Sequence, residues 1–362
     1  MTLLTFTPLD TLFFRDGRPY NKDESNAQVF SVFPPFSPTL IGAARAAYAR
    51  ALGWPDKDWE THVKPHFGDG TDLNPVSFDG PYLLRESQPV FPVPALLVKT
   101  PHGNLARLSP GPERQCDLGK GIKVRLPELR SSGSKHELAS GWLIATEMTR
   151  VLAGGLPKQN EVLKHQDLFL HERGIGNWRD GASRTVQEDN AVYSPAHVRL
   201  ARNVELGLKA TGLPDFEPAN PAPTAGESRL CWISREEREP DLPVAPKIET
   251  ANGILRYCVI LITPLDIEET VLPKPNVPYA NLPGKLVSAC IRRSQRAGGW
   301  FGKLAGSGEP QPLRTLLPAG SVFFLEADAA TVDAVLALHR TKIGTRTEWG
   351  FGQILIGVWG NE

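Results

Sequence analysis

Cysteine is scarce and unpaired in this sequence. The four cysteines, Cys116, Cys231, Cys258 and Cys290, are widely spaced and no CxxC pair occurs. Neither a zinc site nor a disulfide framework is therefore expected. No apolar run approaches the roughly 18 residues that a membrane span needs. The N-terminus lacks the charged region and apolar core of a signal peptide, so a soluble cytoplasmic protein without a membrane partner is expected. Charge of one sign is not in excess either, since 40 Lys+Arg stand against 40 Asp+Glu. Any nucleic-acid surface must then be a local patch.

A placed set of catalytic groups is also lacking. The eight histidines (His62, His66, His102, His136, His165, His171, His197 and His339) are scattered, and none falls in the opening basic loop or the final glycine-rich loop. His339 lies on the apolar stripe of its helix and reads as a packed residue. The carboxylates of a nuclease metal site must cluster. Here Asp266, Glu268 and Glu269 group after a strand ending at Thr263 and Pro264, and they read as a solvated turn. No catalytic residue, metal or cofactor is assigned.

What is abundant is turn-forming residues and a core. The 362 residues include 33 prolines and 33 glycines, with 41% hydrophobic residues. That is length enough for two domains. Leu3 to Thr7 is a β-prone opening run. Phe13 and Phe14 follow, then the Asp16-Gly17 turn with Arg15 and Arg18 beside it. Ser37 can cap a helix with Pro38 at its first position. Leu40, Ala44, Ala47, Tyr48 and Ala51 give that helix an apolar face, and Gly42, Ala43 and Ala44 let it lie close to a sheet. Residues 54–80 read as irregular, and 102–136 as a mobile basic insertion. A helix is predicted from Gly141 to Leu152 and a strand from Val198 to Leu208. Residues 171–186 read as a projecting hairpin. Its Arg173, Trp178, Arg179 and Arg184 combine charge with a stacking surface, as single-stranded nucleic-acid binders do. The proline-rich stretch 215–226 reads as a linker.

The second half repeats the strand–helix–strand order. Tyr257 to Thr263 and Gly320 to Glu326 read as strands. Between Thr270 and Gly308 stand six Lys/Arg, Arg292, Arg293 and Arg296 among them, and no Asp or Glu, which is a polyanion footprint. A helix capped by Asp328 leads into Gly344-Thr-Arg-Thr-Glu-Trp-Gly-Phe-Gly352, with Gly344 placed to cap its end. This loop sets Gly344, Gly350 and Gly352 around Arg346, and exposed amides beside an arginine suit a polyanion. The residues after Gly352 read as a buried strand. The fold class expected is α+β: two ferredoxin-like (RRM-like) domains with irregular insertions, over 1–214 and 227–362.

The segments Pro8 to Pro19, Phe33 to Thr39 with the helix after it, Arg184 to Glu188 with Tyr193, Pro318 to Glu326 and Thr345 to Gly352 resemble the RAMP superfamily of CRISPR proteins. Within it, the chain resembles the third-subunit family of the Cmr (type III-B) complex. The opening motif is specific, whereas the glycine loop marks only the superfamily. The resemblance implies a non-catalytic subunit that grips the repeat-derived 5′ tag of crRNA. It implies a bridge in antiviral defence between the large Cas10-type subunit and the RAMP backbone filament. Arg15, Arg18, Arg173, Trp178, Arg179, Arg184, Arg292, Arg293, Arg296, Gly344, Arg346, Gly350 and Gly352 are the expected RNA-binding residues. A RAMP-type endoribonuclease processing pre-crRNA and a purely structural subunit are the alternatives.

Overall fold

The computed structural model describes residues 1–15, 28–69, 72–116, 123–129, 136–177, 183, 185, 192–267, 273–299 and 312–359. The chain forms two compact units, each assembled from three stretches. Unit 1 takes Met1–Ser87, His165–Glu239 and Arg296–Leu313; unit 2 takes Gln88–Lys164, Pro240–Gln295 and Arg314–Glu362. Strands dominate the described residues. The helices among them are Ser37–Ala51, Ala145–Leu152, Val332–Ala337 and the short Trp59–His62 and Lys64–Phe67. None is long and apolar enough to cross a membrane.

In unit 1 the opening strand Thr2–Pro8 is buried from Thr2 to Phe6, with Thr2 and Thr5 buried among Leu3, Leu4 and Phe6, so both faces of the strand are covered. Val204–Thr211 pairs with it on one side and Arg229–Glu236 on the other. Ser77–Arg85 continues the sheet beyond Val204–Thr211, and Ala222–Ala225 folds back on Arg229–Glu236. Every one of these neighbours is antiparallel. Leaving out Ala222–Ala225, the spatial order by chain position is fourth, first, third, second. Between the first and second strands runs helix Ser37–Ala51, with Leu40, Ala44, Ala47 and Tyr48 buried. Its cap is Phe36, without a side-chain bond, rather than the expected Ser37. A Cβ on Gly42 would meet only open space, so Ala43 and Ala44, not Gly42, give the close packing. A smaller sheet centres on Val192–Leu200, with Phe169–Arg173 antiparallel on it and Gln28–Phe30 parallel.

Unit 2 repeats the order. Ile254–Leu261 pairs antiparallel with Ile354–Val358 on one side and Val322–Asp328 on the other, and Lys285–Cys290 lies beyond. Its core joins Leu255, Tyr257, Val259 and Leu261 to Phe323, Leu325, Ile354 and Ile356. Each large side chain buried this way contributes about 1.5–3 kcal/mol. Here the helix, Val332–Ala337, lies between the third and fourth strands. Unit 2 also holds helix Ala145–Leu152 outside this strand order; among the described residues the helix within the order follows the first strand in unit 1 and the third in unit 2.

Several elements differ from the sequence reading. Residues 222–225 of the proline-rich stretch are a strand within unit 1, because the opening strand draws Arg229–Glu236 into its sheet across that stretch. Residues 198–208 are two strands, not one, broken before Val204 where Asn203 adopts φ 63°. Trp142–Ile144 is strand, and the helix begins only at Ala145. Ser109–Gln115 and Lys123–Glu128 make an antiparallel hairpin inside the expected irregular insertion. The last helix ends at Ala337, so Gly344 does not cap it.

Candidate nucleic-acid interface

The glycine loop closes on itself and on the end of the first strand of unit 2. Ile343 N–H donates to Gly352 O at 2.9 Å, and Gly352 N–H to Pro264 O at 2.8 Å. Thr345 N–H donates to Asp266 O at 3.0 Å, while Trp349 and Gly350 donate to Arg346 O and Thr347 O, each at 3.0 Å. Gly344, Gly350 and Gly352 take φ of 87°, 82° and 73°, a region that L side chains enter at a cost. A Cβ on Gly352 would stand 1.9 Å from Ile343 O, and one on Gly344 would stand 2.4 Å from Leu265 Cδ1. These glycines serve the loop's closure. The amides of Thr345, Trp349, Gly350 and Gly352, expected to face a polyanion, are spent on protein carbonyls.

Arg346 adopts φ 53° and lays its guanidinium over the Trp349 and Phe351 rings, at 5.0 and 5.3 Å from their centroids. Burial pulls its pKa below the usual arginine range, and the Asp266 carboxylate opposes that. Asp266 is fully buried and accepts from Arg314 Nη1 at 3.2 Å. Burial pushes its carboxyl above the usual range, with Arg314 and then Arg346 acting the other way. The solvated turn expected at Asp266 is instead a buried anchor, because Leu265 and Ile267 on either side are buried too. That lone carboxylate between two apolar residues was the available signal. Glu268 and Glu269 lie outside the described residues.

The other expected arginines divide by exposure. Arg15, Arg173, Arg293 and Arg296 are exposed. Arg292 is half-buried, and its Nη2 donates to Val93 O at 2.7 Å and Ala139 O at 3.2 Å, which makes it an internal brace. Arg18, Trp178, Arg179 and Arg184 lie outside the described residues. In the basic insertion, Arg114 pairs with Glu128, Lys123 with Glu113 and Arg125 with Glu326, so much of its positive charge is matched within unit 2.

The opening motif sits on the small sheet of unit 1. Leu12 bridges Val198, and Phe13 meets the His197 ring edge-to-face at 5.3 Å. His197 Nε2 is 2.8 Å from Glu227 Oε2. This histidine therefore packs against the opening motif, which sequence spacing did not reveal, because 184 residues separate it from Phe13. In unit 2, His339 Nδ1 accepts from Ile356 N–H at 3.1 Å, which leaves Nε2 to donate to Pro243 O at 2.8 Å. It is the packed residue expected, although it stands just past the helix, which ends at Ala337.

Burial lowers the pKa of His339 below 6.5. A depressed folded pKa means its stabilising contribution is present above 6.5 and is lost as pH falls through the folded value. Thermal melts of the wild type should fall from pH 7 to pH 5 more steeply than those of His339→Gln, which cannot charge. Parallel pH profiles would show that His339 does not carry this dependence.

A family model described as CRISPR-associated protein (Cas_Cmr3) matches residues 4–359 of the chain. No curated protein matches it. A chain from the "Cryo-EM structure of the Type III-B Cmr-beta bound to cognate target RNA and AMPPnP, state 1" is similar at TM-score 0.50 and 14% identity, over 89% of this chain and 86% of that one. One from the cryo-EM structure of Type III-B Cmr-beta bound to cognate target RNA is similar at TM-score 0.48 and 13% identity, over 92% and 88%. A chain of the Csm3-Csm4 subcomplex in the type III-A CRISPR-Cas interference complex gives TM-score 0.37 and 11% identity, over 100% of both chains. At these identities the first likeness is one of fold.

Proposed function

Because the chain belongs to the Cas_Cmr3 family of CRISPR-associated proteins, we propose that it is a non-catalytic RNA-binding subunit of a type III-B effector complex. It grips the 5′ tag of crRNA and bridges the large Cas10-type subunit to the RAMP backbone filament. The family match across nearly the whole chain carries this reading. The strand order fourth, first, third, second in both units supports two ferredoxin-like domains. The RNA named with the Type III-B complex of similar fold supports the ligand class.

The exposed Arg15, Arg173, Arg293 and Arg296 supply phosphate contacts in this reading. Arg346 adds a cation and Trp349 helps to hold it, while the glycines keep the loop closed. Single-stranded RNA is held by such cations and by stacking. Guide-RNA affinity across a salt series tests it. Arg15→Ala and Arg293→Ala should each weaken binding and lower the salt slope by roughly 0.7. The purified chain should leave the RNA uncut with and without Mg²⁺. Wild-type affinity and slope in both folded variants would remove these residues from the interface. Metal-dependent cutting abolished by one point substitution would overturn the non-catalytic reading.

A further inference from the structure

The tetrapeptide Thr-Pro-Leu-Asp occurs twice, as Thr7 to Asp10 and as Thr263 to Asp266. Both copies sit at the C-terminal end of the first strand of their unit. In unit 2 this seat is filled by the chain itself. Gly344 and Gly352 press on Leu265, Thr345 donates to Asp266 O, and the positive charge of Arg346 acts on the Asp266 carboxylate. Leu265 and Asp266 are both fully buried as a result.

In unit 1 the corresponding connection, between the third and fourth strands, folds into the Ala222–Ala225 hairpin instead. Just after it, at the start of the fourth strand, Arg229 Nη1 donates to Asp10 Oδ2 at 2.8 Å. Leu9 is left 59% exposed, on the wall of a cavity of about 680 Å³ that also takes in Asp10, Glu86, Arg199, Arg202 and Glu205. Leu170, opposite Arg199 on the neighbouring strand, and Trp232, opposite Thr7, are exposed as well. Solitary exposed hydrophobics are ordinary, but here Leu9 lines the cavity and Leu170 and Trp232 stand across from the lining residues Arg199 and Thr7, which makes a candidate interaction surface.

The charge of the seat decides its occupant. Asp10 and Glu172 both hold Arg199, which keeps both carboxyls below their usual range. Among the described residues Asp10, Glu86, Glu172 and Glu205 then face Arg199, Arg202 and Arg229 around the cavity, four carboxylates against three guanidiniums. A net acidic wall repels RNA phosphates and attracts a cationic side chain. The filled seat in unit 2 shows the shape that fits: a glycine-bearing loop with an arginine.

We propose that the Leu9–Asp10 seat of unit 1 docks a basic, glycine-containing loop from a neighbouring protein subunit, doing for unit 1 what the chain's own loop does for unit 2. The inference uses the proposed membership of a complex for its choice of partner, and does not use the RNA contacts. The test takes the purified Cas10-type subunit and the purified RAMP backbone subunit as probes of the full chain. Leu9→Ser, Trp232→Ser and Glu86→Lys are compared with wild type for affinity to each, and for guide-RNA affinity, after melts establish folding.

All three variants should lose about tenfold or more in affinity for the same one of the two subunits, as hot-spot positions do, with guide-RNA binding unchanged. Unchanged affinity for both subunits overturns the proposal, as does a wild-type chain that binds RNA but neither subunit. Loss of guide-RNA affinity in the variants also overturns it, by giving the seat to RNA. If the variants lose a subunit while wild type binds no guide RNA, the RNA reading fails and the docking seat stands.

Discussion

Gly352→Ala is expected to destabilise unit 2 by about 2–4 kcal/mol, with or without RNA present. Two costs combine. An alanine at φ 73° sits in the left-handed region, which costs roughly 1–2 kcal/mol. Its Cβ also falls 1.9 Å from Ile343 O, a backbone atom, so the loop closure must open. Gly103 is the control: its φ is 80°, yet nothing stands within 4 Å of its would-be Cβ. Gly103→Ala should show the backbone cost alone. Urea melts of both variants measure the difference. Equal midpoints would mean that the Ile343–Gly352 contact does not hold the loop shut. A bulky residue in this loop that abolishes RNA binding is therefore no proof of RNA contact until folding has been measured.

Arg107→Met should cost about 2–4 kcal/mol. Arg107 is half-buried, and desolvation pulls its pKa down. Its Nη1 donates to Val151 O at 2.8 Å, its Nη2 to Val358 O at 2.5 Å and its Nε to Trp359 O at 3.1 Å. One guanidinium thus ties helix Ala145–Leu152 to the terminal strand. Methionine keeps much of the stem and leaves three carbonyls without that donor. Arg107→Lys keeps the charge but lacks the fork that reaches three acceptors, so it should fall between the two. Thermal melts, with hydrogen exchange at Ile354–Val358, check both. Wild-type exchange at that strand in Arg107→Met would show that the brace is dispensable.

Those two residues also mark what the sequence could and could not convey. The strands at Ile254–Leu261, Val322–Asp328 and Ile354–Val358 were legible, because apolar runs long enough to be buried on both faces carry their own signal. The cap at Asp328 was legible in part: its side chain accepts from Ala330 N–H at 2.8 Å and caps the 3-10 turn Ala329–Thr331, whereas the helix Val332–Ala337 that follows starts from Thr331 without a side-chain bond. Arg107 was not. A lysine or arginine in a polar stretch looks the same whether it faces water or threads into carbonyls distant in sequence. The glycine loop was found, but its amides were read as facing a polyanion, whereas Gly344 and Gly352 make room for Ile343, Leu265 and Asp266. Only the strand pairing that brings 264–266 beside 343–352 distinguishes the two. Arg229–Glu236 joined the first sheet for a similarly non-local reason, since its partner is the opening strand.

The order in which the three stretches of each unit are spelled out along the chain also bears on synthesis. As the polypeptide leaves the ribosome, Thr2–Pro8 must wait for both of its neighbours, Val204–Thr211 and Arg229–Glu236. Ile254–Leu261 waits in turn for Ile354–Val358, about a hundred residues later in the chain. Such waiting prolongs the exposure of unpaired strand edges during translation. A fragment ending at residue 214 would carry the opening strand with one edge bare. Expression of either unit alone therefore requires rejoining its stretches by new connections, since no contiguous piece of the gene encodes one.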